Sequence, residues 1–249
     1  MMLAIVFISA VHNPEENLSL ADGSFVRSDE YEIANDFDLR AVEAAISLKE
    51  SGSIDRVVVF SAAERTTHIT KALAMGADEA IWACARDAEL SPQIVVETAI
   101  EAVKQRYGNA LDTAIWLMGK LGVNYESHLT AQRLALRLGV PCLCSASKLN
   151  YDAEGEKWIV ETESEFGTPE FDASAPFVVT ADLRLAEPRF PSLPNIVKAR
   201  RKPVYEVGLA RVESDFSASV GTLRQAHASK KCCQYIDAES LMRIISGGR

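Results

Sequence analysis

Four continuous apolar runs mark the first half of the chain: Leu3–Ser9, Arg56–Ser61, Glu79–Ala83 and Thr113–Met118. Runs this short and this apolar predict strands buried on both faces, as a parallel sheet requires. Between them the apolar positions change period. From Asp38, residues Leu39, Val42, Ala45, Ile46 and Leu48 recur at helical spacing until Ser51-Gly52. A second helix is predicted from Glu64 to Met75, stopped by Gly76 as the residue after its C-cap. Ser91-Pro92 supplies an N-cap and first-turn proline for a third. That helix carries Ile94, Val95, Thr98, Ala99 and Ala102 and ends at Gly108. A fourth runs from Leu129 to Leu138, with Pro141 just beyond. Asn13-Pro14 and Asp22-Gly23 read as turns.

Strands alternating with helices four times over form the βαβ pattern, which predicts an α/β fold with a doubly wound, mostly parallel sheet. After Pro141 the pattern changes. Cys142–Lys148, Lys157–Glu163 and Pro176–Leu183 read as strands with little helix between them, the second alternating as a half-exposed antiparallel strand does. They are expected to extend the same sheet. Residues 184–203 hold four of the nine prolines and predict a stiff, irregular excursion with at most one helical turn after Pro194. Residues 204–236 read as an extended arm, and Asp237–Ser246 as a short terminal helix. The predicted organisation is one α/β domain over 1–203, including the 184–203 loop, followed by an arm and helix over 204–249 that pack on a partner.

Composition fits such a fold. Of 249 residues, 48% are hydrophobic and 24% charged, enough for a large core and too apolar for disorder. No apolar run approaches the length needed to span a bilayer, so no direct membrane insertion is expected. The net charge of −9 disfavours nucleic acid as a partner. The five cysteines, Cys84, Cys142, Cys144, Cys232 and Cys233, lack zinc spacing and predict free thiols in a reducing compartment. The apolar start lacks a basic flank and reads as a buried strand rather than a signal peptide.

Several self-contained chemistries are missing from the sequence. There is no Walker A loop, no G-x-G-x-x-G, no G-x-S-x-G, no H-E-x-x-H and no C-x-x-C. His12, His68, His128 and His227 are far apart and read as surface or cap residues, and Tyr31, Trp82 and Trp116 as packing residues. No catalytic residue and no metal site is predicted. Two segments carry candidate chemistry. Gly119–Gln132 follows the fourth strand and opens a helix, the place where a doubly wound sheet binds ligands and where free N–H groups suit a phosphate. The same spacing is compatible with an ordinary strand-to-helix loop with Ser127 as N-cap. Val179–Lys202 holds Leu193 between prolines beside Lys198, Arg200, Arg201 and Lys202, an apolar tip with a basic collar suited to docking. It is equally compatible with a solvated charge run.

Val179–Lys202 closely resembles the signature T-A-D-L-R-L-x-E-P-R-(Y/F)-x-x-L-P-N-I-x-K-A of the electron transfer flavoprotein beta subunits. Asn35 and Phe37, ahead of Ala41-Val42-Glu43 and Leu48-Lys49-Glu50, resemble that family's N-P-F-x-x-x-A-x-E-x-A-x-x-L-K-E. Ala72–Asp78 matches its A-L-A-M-G-A-D, and Gly119–Pro141 can be laid without gaps on its G-x-x-x-x-D-x-D-x-x-Q-T-G…P segment. The resemblance implies an adenine-nucleotide hydrolase-like α/β sheet. It implies an alpha subunit holding most of an FAD site, and a structural AMP in this chain. It also implies electron transfer from flavin dehydrogenases, such as acyl-CoA dehydrogenases, to a quinone oxidoreductase, in the cytoplasm or, in a eukaryote, the mitochondrial matrix.

By the same resemblance the AMP site comprises Asn35, Phe37, Val123, Asn124, Tyr125, Glu126, Ser127, His128, Leu129, Thr130, Ala131 and Gln132. The partner recognition loop would present Leu193, Pro194, Asn195, Ile196 and Lys198. The chain departs from the pattern at Ser9, where a lysine is usual, and at Asp36 within Asn-Pro-Phe. Asn124, Tyr125 and Glu126 stand at the loop aspartates, and Leu129-Thr130-Ala131 replaces Gln-Thr-Gly, so Thr130 alone is retained. Weakened but surviving AMP binding is expected. Two alternatives stay open: a bifurcating or dehydrogenase-bound relative with FAD in this chain, and a nucleotide-hydrolysing or nucleotide-sensing protein of the same fold.

Overall fold

A computed structural model describes residues 2–13, 15–16, 20–21, 24–25, 32–86, 90–123, 126–212, 237 and 242. Pro14, Asp22, Gly23, Tyr31, Asn124, Tyr125, His227, Cys232 and Cys233 lie outside the described residues. So do the arm beyond 212 and most of the terminal helix. In chain order the strands are β1 (Leu3–Phe7), β2 (Ala10–His12), β3 (Leu20–Ala21), β4 (Ser24–Phe25), β5 (Glu32–Ala34), β6 (Arg56–Ala63), β7 (Glu79–Cys84) and β8 (Ile115–Gly119). They continue as β9 (Cys142–Asp152), β10 (Lys157–Thr162), β11 (Glu170–Ala173), β12 (Phe177–Ala181) and β13 (Val204–Val207). The helices are α1 (Asp36–Glu50), α2 (Thr67–Met75), α3 (Pro92–Tyr107), α4 (Leu129–Leu138) and α5 (Leu193–Ala199).

Nine strands form one sheet in the order β11-β10-β9-β12-β8-β1-β6-β7-β13. The pairs from β9 through β12, β8, β1, β6 and β7 to β13 are parallel, while β10 runs antiparallel to β9 and to β11. The fold is therefore α/β and doubly wound, as the alternation of apolar runs and helical periods predicts. β1 is buried at every residue because helices cover both of its faces. Ala4 and Val6 join the core formed with α1 and α2, whereas Leu3, Ile5 and Phe7 join the core formed with α3 and α4. That split is the period of two of a strand written into an unbroken apolar run.

The chain divides into two units. The first, Met1–Leu18 with Arg27–Ala218, holds the nine-stranded sheet, helices α1 to α5 and the small β2–β5 ladder. In the second, Ser19–Val26 with Ser219–Arg249, β3 and β4 pair Leu20 with Phe25 and Ala21 with Ser24.

Local structure follows the sequence signals closely where caps are strong. Ser91 Oγ accepts the Ile94 N–H at 3.2 Å and Pro92 opens α3. Gly76, at φ 149°, and Gly139, at φ 69°, close α2 and α4. Three readings are corrected. α2 begins at Thr67 rather than Glu64. The 184–203 segment contains a seven-residue helix, α5, which packs on α2. Residues 204–207, read as the start of the arm, form the edge strand β13 beside β7. Four residues of alternating burial carry too little apolar signal to announce an edge strand on their own. Among the described residues no helix is long and apolar enough to cross a membrane.

Candidate functional site

The chain leaves β1 through α1 to β6 on one side and returns to β8 on the other, so strand order reverses at β1. In a doubly wound sheet the carboxyl ends of such strands leave a crevice. A cavity of about 230 Å³ lies there. It is lined by Ile8 and Ser9 after β1, Ser61 of β6, Gly119–Gly122 at the end of β8, and Ser127, His128, Thr130 and Ala131 where α4 begins. Asn35 and Asp38, at the start of α1, complete the wall.

Asp38 ties the crevice together. Its Oδ2 accepts the Ser9 backbone N–H at 2.9 Å and the Ser9 hydroxyl at 2.6 Å, and its Oδ1 accepts the Gly119 N–H at 2.7 Å. Burial pushes this carboxyl above the ordinary aspartate range, while the bonds from Ser9 and Gly119 pull it back. A Cβ at residue 119 would meet Asp38 Oδ1 at 2.6 Å, so glycine is required at this close approach. Asn35 is 1% exposed. Its Nδ2 donates to the Leu121 carbonyl at 2.9 Å, and its Oδ1 is buried without a hydrogen-bond partner. A buried acceptor of this kind costs free energy unless a ligand or water supplies a donor.

The N-terminus of α4 forms the other wall. Ser127 Oγ accepts the Leu129 N–H at 3.4 Å, and His128 occupies the N-cap position without a side-chain cap bond. This corrects the alternative that made Ser127 the N-cap. The first turn carries no acidic side chain, so the positive end of the helix faces the crevice uncompensated. Glu126, at φ 49°, turns the chain back and donates its N–H to the Gly122 carbonyl at 2.8 Å. Lys120 Nζ bonds Asp182 Oδ2 at 2.7 Å and lies 5.4 Å from the Phe37 ring. Burial opposes ionisation of Asp182, yet the Lys120 bond holds it below the usual range. Ser61 Oγ lies 2.7 Å from His68 Nε2. The His68 ring is buried, which holds it down at about 4 and therefore neutral.

The family profile described as Electron transfer flavoprotein domain matches residues 22–212. The electron transfer flavoprotein subunit beta of Bradyrhizobium diazoefficiens is 36% identical over 192 residues, covering 76% of this chain and 74% of the relative. The subunit of the same name from Bacillus subtilis is 32% identical over 86% of this chain and 82% of its own. The chain belongs to the electron transfer flavoprotein beta-subunit family. The Homo sapiens subunit beta is 36% identical over 68% of this chain and 66% of its own length.

Of the residues that family resemblance assigns to a nucleotide, the structure brings Asn35, Ser127, His128, Thr130 and Ala131 to the crevice. Val123, Glu126, Leu129 and Gln132 are exposed and do not line it. Phe37 stands behind Lys120. Asp38 and Ser61 line the crevice without having been singled out, since an isolated Asp or Ser beside a strand carries no pattern, and Lys120 joins them from within the Gly119–Gln132 segment although it is not among the residues assigned to the nucleotide. His68 corrects the surface reading of the histidines: it is 3% exposed and inside the protein. Trp82 and Trp116 are packing residues, as expected. The Trp82 indole N–H reaches the Ala63 carbonyl at 2.8 Å, and Trp116 is completely buried.

In the second candidate segment, Leu193 is 79% exposed at the first position of α5, preceded by Phe190 at 99%. Pro194, Asn195, Ile196 and Lys198 are also exposed. The segment is not loose. Arg189 forks onto Glu43, with its Nη2 at 2.7 Å from Oε1, and onto Glu50, with its Nη1 at 2.6 Å. The hydrogen bonds to Glu50 and Glu43 raise the Arg189 pKa further. Lys202 departs from the expected basic collar. Its Nζ donates to the carbonyls of Leu73 and Ala77 at 2.9 and 2.6 Å, satisfying the end of α2.

Proposed function

We propose that this chain is the electron-carrying beta subunit of a heterodimeric flavoprotein, binding AMP as a structural nucleotide and serving no hydrolytic reaction of its own. The observation that carries the nucleotide is Asn35 Oδ1, a buried acceptor without a partner on the wall of a crevice at the strand carboxyl ends. An AMP hydroxyl or amino group supplies the missing donor. Its phosphate would be held by first-turn N–H groups of α4, with the Thr130 hydroxyl and Ser127 as further polar groups. The residues present therefore fit the nucleotide even though most side-chain positions of the family loop are altered: backbone N–H groups do not depend on side-chain identity. AMP contributes no chemistry there beyond filling the crevice.

FAD, held mostly by an alpha subunit, supplies the redox chemistry when bound. This chain's contribution is to close the assembly and to present α5. Leu193, with Phe190 and Val197, offers an apolar anchor to a flavin dehydrogenase, and Arg200 and Arg201 steer the encounter. Transfer onward to a quinone oxidoreductase follows from the same reading.

The test is to co-express the chain with its alpha subunit, denature the purified complex and identify what is released. AMP supports the reading. FAD in place of AMP, at two flavins per heterodimer, or no nucleotide at all overturns it. Thr130→Ala is expected to weaken AMP by about 0.5–1.5 kcal/mol, the net worth of one hydrogen bond, measured by calorimetry on the nucleotide-stripped complex.

A further inference from the structure

Cys142 and Cys144 stand two apart on β9, so their side chains share one face of the strand. Their Sγ atoms are 3.6 Å apart. The ladder explains the approach. Val178 pairs with Cys142 and Val179 with Leu143, but Ala181 pairs with Ala146, so Thr180 stands opposite both Cys144 and Ser145. That is a bulge, and Ser145 carries it at φ 57° with its N–H given to Thr180 Oγ1 at 2.8 Å. A bulge bends the strand and re-aims the side chains beside it. Cys144 is exposed and Cys142 partly so, which admits a small oxidant.

We propose that Cys142 and Cys144 form a reversible redox site, closing to an intrastrand disulfide when the chain meets a hydroperoxide. The Cys144 thiolate attacks the peroxide oxygen, the O–O bond breaks, and Cys144 becomes a sulfenic acid with hydroxide released. The Cys142 thiol then attacks that sulfur, the S–O bond breaks, and water leaves as the disulfide forms. The peroxide takes two electrons from Cys144 in the first step, and the second step shares that oxidation, so that in the disulfide each sulfur has given one.

The surroundings favour Cys144 as the attacking group. A hydrogen bond from Cys142 pulls its thiol down to about 6, burial opposes, and groups at Gln132, Thr180 and His128 add to the lowering. The same bond pushes Cys142 up, which keeps it protonated as the resolving thiol. His128 and Gln132 belong to the start of α4, so its positive end also favours the thiolate. Among the described residues no group of three or more His, Cys, Asp or Glu is placed to hold a metal ion.

The experiment uses the full chain, reduced and then exposed to hydrogen peroxide. Trypsin cutting after Arg137 and Lys148 releases a peptide holding only these two cysteines. Its mass should fall by two hydrogens and return with dithiothreitol, while Cys84 stays unchanged. Cys142→Ser should trap the sulfenic acid on Cys144 as a dimedone adduct. In the reduced wild-type chain at about pH 6, alkylation of Cys144 should run about tenfold faster than that of an ordinary free cysteine in solution, the excess of thiolate outweighing its lower nucleophilicity. A peptide that keeps both thiols, or crosslinks mainly to other cysteines, overturns the proposal, as does oxidation of Cys84 at an equal rate. The wild-type peptide decides the matter even where a variant folds poorly.

Discussion

Individual side chains at the crevice do structural work that their positions in sequence hide. Asp38 links the ends of β1 and β8 through Ser9 and Gly119, two residues that flank different strands and meet only in the folded chain. Asn35 keeps one buried acceptor open. His68 behaves as a neutral core residue against Ser61. This last environment has a pH signature. Unfolded, the ring takes a proton below its ordinary value near 6.5, whereas the folded ring resists until about 4. The unfolded state therefore binds more protons in this window, and stability falls as pH falls. About 3 kcal/mol should be lost between about pH 6.5 and pH 4. Urea denaturation of wild type against His68→Gln across that window measures it. An identical pH slope in both chains would show that His68 does not titrate as described. Sequence spacing treated this histidine as peripheral because its neighbours Ile69 and Leu73 set the buried face and a single ring adds no period.

At the level of elements, α4 was legible to the residue, Leu129 to Leu138, because the helical run and Pro141 just beyond it agree. The bulge in β9 was not, since it depends on register against β12. The 184–203 segment shows both outcomes. Its prolines announced stiffness, but its attachment to α1 rests on Arg189 meeting Glu43 and Glu50, more than a hundred residues away in sequence. Glu43 is 6% exposed, so removing the guanidinium strands a buried charge. Arg189→Met should cost about 1–2 kcal/mol, a value held down by the partial solvation of the pair. Hydrogen exchange should quicken in residues 183–192 with no change in bound nucleotide. Adding Glu43→Gln should recover part of the loss. Unchanged exchange in the segment would mean that the proline backbone alone holds it.

For the molecule as a whole, the sheet buries the strands and leaves α5 facing outward with Leu193, Val197 and Phe190 uncovered. Apolar side chains held out by an anchored segment are preorganised for a partner's pocket. On the proposed docking role of α5, Leu193→Ala should weaken the encounter with a flavin dehydrogenase by about 2 kcal/mol, read as slower second-order electron transfer. Subunit co-purification and bound nucleotide should stay as in the parent. Charge reversal at Arg200 and Arg201 should slow association and flatten its ionic-strength dependence, whereas Lys202 is committed to α2 and should affect stability instead. Parental transfer rates in Leu193→Ala would remove α5 as the docking element.

The fold class was readable from the chain alone, because unbroken apolar runs and helical periods are local consequences of burial on two faces and on one. Family membership was readable too, from long uninterrupted motifs. Tertiary structure decided which residues share the crevice, that β13 closes an edge, that Lys202 serves a helix end, and that Cys142 and Cys144 meet at a bulge. Each of these depends on contacts between segments far apart in sequence or on strand register, and neither leaves a period along the chain.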